Sequence, residues 1–265
     1  YHMKQEIEQT INGKAIKISQ ANGTTYDLVI ERLLADGYFQ ITCTYRRAIM
    51  EIKNAHMTVT YDSEKHTDKV PTIAQGLASL LDKNFTIELA NDGSVRKVVG
   101  MDTLIDNIIK KSIPKSTSET NRNQMEAQFN SAFGNASLKK LMEQAFKIYP
   151  KNEVSLEDTW SDEIVAKTLY PVNIKNIWTL TKFNQTQAEV SLKSILTSNS
   201  TFKMNNIDCK TNLKGTQEGK LVIDRKSGFV ADSKIKQSIN GSLHMMGLDI
   251  PIKISSIVTQ KTIKK

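Results

Sequence analysis

Along the first third of the chain, apolar and polar residues alternate with period two, the pattern of a strand with one packed and one wet face. In residues 38–46, Phe39, Ile41, Cys43 and Tyr45 fall on one side and Gln40, Thr42, Thr44 and Arg46 on the other. Met57, Val59 and Tyr61 repeat the alternation, as do Phe85, Ile87 and Leu89. Strands of this kind build antiparallel sheets. Asn91-Asp92-Gly93 predicts a tight reversal into Val95–Val99, because Gly supplies a positive φ without steric cost.

The period then changes. Ile73, Leu77, Leu80 and Leu81 recur at helical spacing after Pro71, predicting a helix within 72–82. Asp102 is placed to cap a helix carrying Leu104, Ile105, Ile108 and Ile109, which Pro114 ends. A polar link at 115–120 precedes a second helix with Met125, Phe129, Ala132 and Phe133. Gly134-Asn135 breaks it, and Ser137 caps a third with Leu138, Leu141, Met142, Ala145 and Phe146. Beyond Tyr149-Pro150 the strand pattern returns: Val190, Leu192 and Leu196, then Leu221 and Ile223, Ile235 and Ile239, and Ile252, Ile254 and Ile257. Asp224–Gly228 is a second acidic-plus-Gly turn, and its likeness to the first hints at a duplicated β unit around a helical connector.

The fold expected is therefore α+β: an antiparallel, β-rich curved sheet with a central helical segment, about 101–148, packed on one face. The matching division is 1–100, a β-rich half with one inserted helix; 101–150, the helical connector; and 151–265, a second β-rich half.

Composition adds little direction. Hydrophobic residues at 39% and charged residues at 24% suit a folded globular protein rather than a disordered one. No stretch reaches the roughly 18 consecutive apolar residues of a membrane-crossing helix, and Val29–Ala35 is broken by Glu31 and Arg32. The net charge of +8 comes from scattered positions such as Lys14, Lys17, Arg46-Arg47, Lys110-Lys111 and Lys139-Lys140. None joins an aromatic stacking platform, which argues against nucleic acid. Two cysteines, Cys43 and Cys209, exclude a disulfide framework, and Cys43 reads as a buried thiol. Tyr1-His2-Met3 shows no leader pattern, as expected of a mature or truncated chain.

Candidate chemistry is thin. His2, His56, His66 and His244 form no metal-ligand spacing. Asp62, Ser63 and His66 are triad residue types within one loop, but a working nucleophile needs a rigid turn and oxyanion donors. Glu6/Glu8, Glu157/Asp158 and Asp158/Asp162 are carboxylate pairs in polar segments, where solvation is the default. The glycines punctuate rather than cradle phosphate. The expectation is no catalytic site, no metal and no cofactor. An unfamiliar enzyme would need a cleft bringing Tyr61-Asp62-Ser63 to Trp160. The helical block is rich in Met and Phe, which adapt to greasy ligands. Met125, Phe129, Phe133, Met142 and Phe146 are accordingly the candidate ligand-binding residues.

The run Tyr61-Asp62-Ser63, then 85–95 and Val98-Val99-Gly100, then Tyr149-Pro150, Val154 and Asp158-Thr159-Trp160, resembles a family of uncharacterised exported proteins and lipoproteins common in Bacteroidetes. Glu157 stands where that pattern has Gly. The resemblance covers about residues 5 to 260 and implies an envelope location: periplasmic, outer-membrane-associated or extracellular. The strand–helix–strand layout is also similar to lipoprotein-carrier folds, in which a curved sheet shelters acyl chains. The expected function is a non-enzymatic envelope protein binding a lipid or other amphiphile. The alternative is a structural or protein-interaction module of the envelope.

Overall fold

The computed structural model describes residues 1–11, 13–65, 70–112, 118–120, 122–123, 126–127, 130, 134–167, 171–204 and 207–264. The strands are β1 (His2–Ile11), β2 (Lys14–Leu33), β3 (Phe39–Lys53), β4 (Thr58–Asp62), β5 (Asn84–Leu89), β6 (Val95–Val99), β7 (Thr159–Lys167), β8 (Pro171–Phe183), β9 (Gln187–Ser198), β10 (Thr201–Met204), β11 (Ile207–Asp224), β12 (Val230–Met245) and β13 (Leu248–Lys261). The helices are α1 (Gln75–Leu80), α2 (Met101–Ser112) and α3 (Asn135–Phe146). All thirteen strands belong to one sheet, ordered β6-β5-β3-β2-β1-β13-β12-β11-β9-β8-β7, with β10 on β11 and β4 on β3.

Two compact units divide the chain. The larger comprises Tyr1–Gly23, Met50–Thr60 and Asn152–Lys265; the smaller comprises Thr24–Ile49 and Tyr61–Lys151. In the larger unit, alternation works as expected. Val190, Leu192 and Leu196 of β9 are buried while Lys193, Ile195 and Thr197 are exposed. Both hairpin turns form, and each Asp carboxylate accepts from backbone two or three residues on: Asp92 from the Ser94 N–H at 2.9 Å, Asp224 from the Ser227 N–H at 2.7 Å.

In the smaller unit, Tyr26, Tyr45 and Phe85 form an aromatic trio with ring centroids 4.6 to 6.3 Å apart. Around it Ile41, Cys43 and Ile87 are at most 1% exposed. Three arginines each bridge two acids: Arg46 to Asp27 and Asp82, Arg47 to Asp62 and Glu64, and Arg96 to Asp36 and Glu88.

The expected central helical segment packed on a sheet face is not there. The molecule is one large antiparallel sheet with short helices confined to the smaller unit. Where their apolar stripes are spent explains the difference. The start of α3 locks onto the start of α2: Asn135 N–H donates to Asp102 Oδ1 at 2.9 Å, and the Met101 N–H donates to Asn135 Oδ1 at 3.1 Å. The end of α3 closes over the β5–β6 turn so tightly that a Cβ on Gly93 would sit 1.9 Å from the Phe146 carbonyl oxygen. Leu138, Met142 and Phe146 are buried in this local packing. The helix boundaries also move: α1 begins at Gln75 after a 3-10 turn at Thr72–Ala74, and α3 begins at Asn135, not after Ser137.

Candidate functional site

Of the five expected ligand residues, the described part of the structure covers two. Met125, Phe129 and Phe133 lie outside the described residues. Met142 and Phe146 are on α3, 7% and 9% exposed, and belong to its packed stripe. Two shallow cavities of about 240 and 310 Å3 lie nearby; their described linings include Asp106, Arg122, Glu126, Asn123 and Asn130, mostly polar side chains.

The triad-like loop is consumed by structure. The Asp62 carboxylate accepts from Arg47 Nε and Nη2 at 3.1 and 2.8 Å, and this hydrogen bonding holds its pKa below the usual value. Ser63 Oγ accepts the Ala48 N–H at 3.0 Å, and His66 lies outside the described residues. Trp160 belongs to the other unit. Among the described residues no three His, Cys, Asp or Glu side chains could hold a metal, and no helix is long and apolar enough to cross a membrane. Both cysteines are free and buried; desolvation pushes the Cys43 thiol up to about 12, which leaves it protonated and unreactive.

The feature that stands out belongs to the larger unit. Strand register aligns side chains into rows that cross β7, β8, β9, β11, β12, β13, β1 and β2 on the buried face. One row reads Ile164, Ile174, Leu196, Gly215, Ile239, Ile254, Ile7 and Ile18. Four residues along each strand lies another: Trp160, Trp178, Leu192, Gly219, Ile235, Val258, Met3 and Asn22. Between them every position is polar: Asp162, Asn176, Ser194, Gln217, Gln237, Ser256, Gln5 and Gln20. A polar seam thus runs across eight strands between two largely apolar rows.

Burying polar groups is costly unless they are hydrogen-bonded. At the β7 end the seam obeys this rule. Trp178 Nε1 and Asn176 Nδ2 donate to the Asp162 carboxylate, and Ser194 Oγ donates to Asn176 Oδ1 at 2.7 Å. Toward β1, Ser256 Oγ donates to Gln237 Oε1 at 2.8 Å. Asn176, Ser194 and Ser256 are 4 to 6% exposed, whereas the four glutamines are half-buried.

Two glycines shape the surroundings of Gln217. A Cβ on Gly215 or Gly219 would meet Ile239 Cγ1 or Ile235 Cγ1 at 2.8 Å, so these isoleucines of β12 lean over bare β11 backbone. Gln217 therefore has no side-chain neighbour two residues away on its own strand.

The apolar rows are not sealed. Leu196, Ile239, Ile252 and Ile254 are buried, but Ile7, Ile11, Ile174, Leu243 and Met245 beside them are only partly covered. The opposite, wet face carries lysines, with Lys220 directly across from Lys234 and Lys236 one row away.

Sequence reasoning missed the seam because each strand contributes only one of its members. The signal was present as polar residues at apolar-phase positions: Gln5 between Met3 and Ile7, Gln237 between Ile235 and Ile239, Ser256 between Ile254 and Val258. Only register shows that these interruptions coincide. Asp162 was expected to be solvated as half of a carboxylate pair, yet it anchors one end of the seam, while Asp158 accepts the Ser155 N–H at 2.7 Å.

No curated protein sequence matches the chain. A solved structure titled "Lipid-protein interactions in lipovitellin" aligns with 100% of this chain at 9% identity and TM-score 0.47; the chain spans 26% of that protein's length. Residues 36–230 match the model of a family of unknown function, DUF6263, and the chain belongs to that family.

Proposed function

We propose that the protein is a non-enzymatic binding protein of the cell envelope that shelters a lipid or other amphiphile on the buried face of its larger unit. The observation that carries this reading is the incomplete closure of the apolar surface in and beside the aliphatic rows. Ile7, Ile11, Ile174, Leu243 and Met245 keep accessible apolar surface beside a sealed cluster. A finished core would cover such side chains, since each fully buried aliphatic contributes about 1.5–3 kcal/mol. An acyl chain laid along the row completes that burial. The envelope location is supported by the resemblance of the 61–160 motifs to exported proteins.

Native mass spectrometry on protein purified from its own cell envelope, with solvent extraction of anything bound, tests the reading. The expected result is a reproducible added mass matching an acyl lipid, absent in an Ile7→Asp/Ile174→Asp variant that retains its strand signal. A clean lipid-free mass that stays unchanged on adding lipid overturns it.

A protein-interaction role is the second reading, and one observation favours it. Lys220 and Lys234 face each other across strands, an arrangement that costs stability in isolation and suits an acidic partner surface.

A further inference from the structure

The seam holds more hydrogen-bonding capacity than the chain uses. Its β7 half is satisfied by Asp162, Trp178, Asn176 and Ser194, and Gln237 is engaged by Ser256. The carboxamides of Gln217, Gln5 and Gln20 make no hydrogen bond to any other described residue. They occupy one register row, from β11 through β12, β13 and β1 to β2. Four inter-strand steps of about 4.8 Å give this half of the seam a length of about 19 Å. A carboxamide both donates and accepts, and it carries no charge. The two rows flanking the seam contain no basic side chain, and its far end is the Asp162 carboxylate. An anionic headgroup would find no counter-charge there and an opposing acid at one end.

We propose that the seam is the polar subsite of the binding face: Gln217, Gln5 and Gln20 hydrogen-bond the uncharged hydroxyl, ester or amide groups of a neutral acyl lipid whose chains lie on the flanking aliphatic rows. This rests on the amphiphile reading above and narrows its ligand class. Gly215 and Gly219 put no β11 side chain beside Gln217, and Ile239 and Ile235 of β12 cover the bare backbone on either side of it, so apolar surface borders the carboxamide.

The experiment is displacement of a neutral fluorescent probe, N-phenyl-1-naphthylamine, from delipidated full-length protein by 1-monooleoylglycerol and by oleate at pH 8. The wild-type chain is expected to take monooleoylglycerol at lower concentration than oleate. Gln217→Leu and the Gln5→Leu/Gln20→Leu pair keep the side-chain volume and remove the hydrogen bonds. Each lost bond is expected to shrink that preference about fivefold, the ratio that about 1 kcal/mol gives at 25 °C, with oleate binding unchanged. Gln217→Glu serves as a second variant, expected to weaken oleate through like charge. Equal affinity for the two lipids, or a preference that survives all the substitutions, overturns the seam assignment while leaving amphiphile binding intact. Failure of both lipids to displace the probe overturns both readings.

Discussion

The two units bury their strands' apolar faces in opposite ways. The smaller has an aromatic centre that is sealed: Tyr45 and Phe85 are 3% and 2% exposed, Cys43 is fully covered, and each of three arginines is held by two acids. The larger mixes buried isoleucines such as Ile239 and Ile254 with partly covered ones such as Ile7 and Ile174, and interrupts them with a polar row. Its exposed lysines pair loosely: Lys17 with Glu8, Lys175 with Glu163 and Lys182 with Glu189, at 3.6 to 3.8 Å. Exposed pairs of this kind contribute little to stability. Bidentate arginine pinning and aromatic filling fix a structure, whereas half-open rows and unused amides leave capacity for something else. The contrast fits the function proposed above, with stability carried by one region and binding by the other.

The sharpest way to break the comparison is Phe85→Ala, which removes a ring 2% exposed from the aromatic trio. A loss of about 3–5 kcal/mol is expected, read as a fall in the urea midpoint at constant slope. A smaller loss than that from an isoleucine in the larger unit would reverse the assignment. Gly93→Ala comes next. Gly93 has φ +81° and its Cβ would strike the Phe146 carbonyl, so about 2 kcal/mol or more should be lost in the same assay. In the larger unit, Ile174→Ala should cost only about 1 kcal/mol, since the side chain is already partly exposed. It should weaken displacement of N-phenyl-1-naphthylamine far more than it lowers the urea midpoint.

Glu157→Gly is expected to act in the opposite direction. Glu157 has φ +68°, a conformation that side chains other than Gly adopt at a cost of about 1 kcal/mol. Replacing it should raise the thermal midpoint slightly, and an unchanged or lower midpoint would show that Glu157 earns its place through contacts. The smallest effect concerns acid. Arg47 holds the Asp62 pKa below its reference of 3.8. Its contribution is therefore complete above that value and fades as pH falls through the lower, folded-state pKa. Asp62→Asn should flatten this part of the stability profile below pH 4, measured by urea midpoints across an acid series.

Much of the local structure could be read from the residues. The alternation of Phe39 to Tyr45, the two Asp-led turns, and the stripe of Leu138, Met142 and Phe146 all appear in the structure. The family pattern's missing Gly at 157 also had a physical meaning, because the backbone there adopts positive φ. What could not be read was pairing between distant segments. Amphipathic helices announce that a stripe must be buried but not where, and α3 spends its stripe beside the β5–β6 turn. The seam is hidden for the same reason: one glutamine among isoleucines looks like noise until eight strands are placed in register.

The pairing of β1 with β13 bears on how the molecule comes to exist. His2 lies opposite Thr259, and Ile7 opposite Ile254, so β1 finds one of its two neighbours only when β13, about 250 residues on, is complete. Closing contacts that distant in sequence makes folding slow. During synthesis β1 has β2 on one side and an open edge on the other, a template for mispairing until β13 emerges. Glu6, Glu8 and Lys4, exposed along β1, put charge on that waiting edge. The free edge of β1 is thus paired only once β13 has been made, about 240 residues later in the sequence.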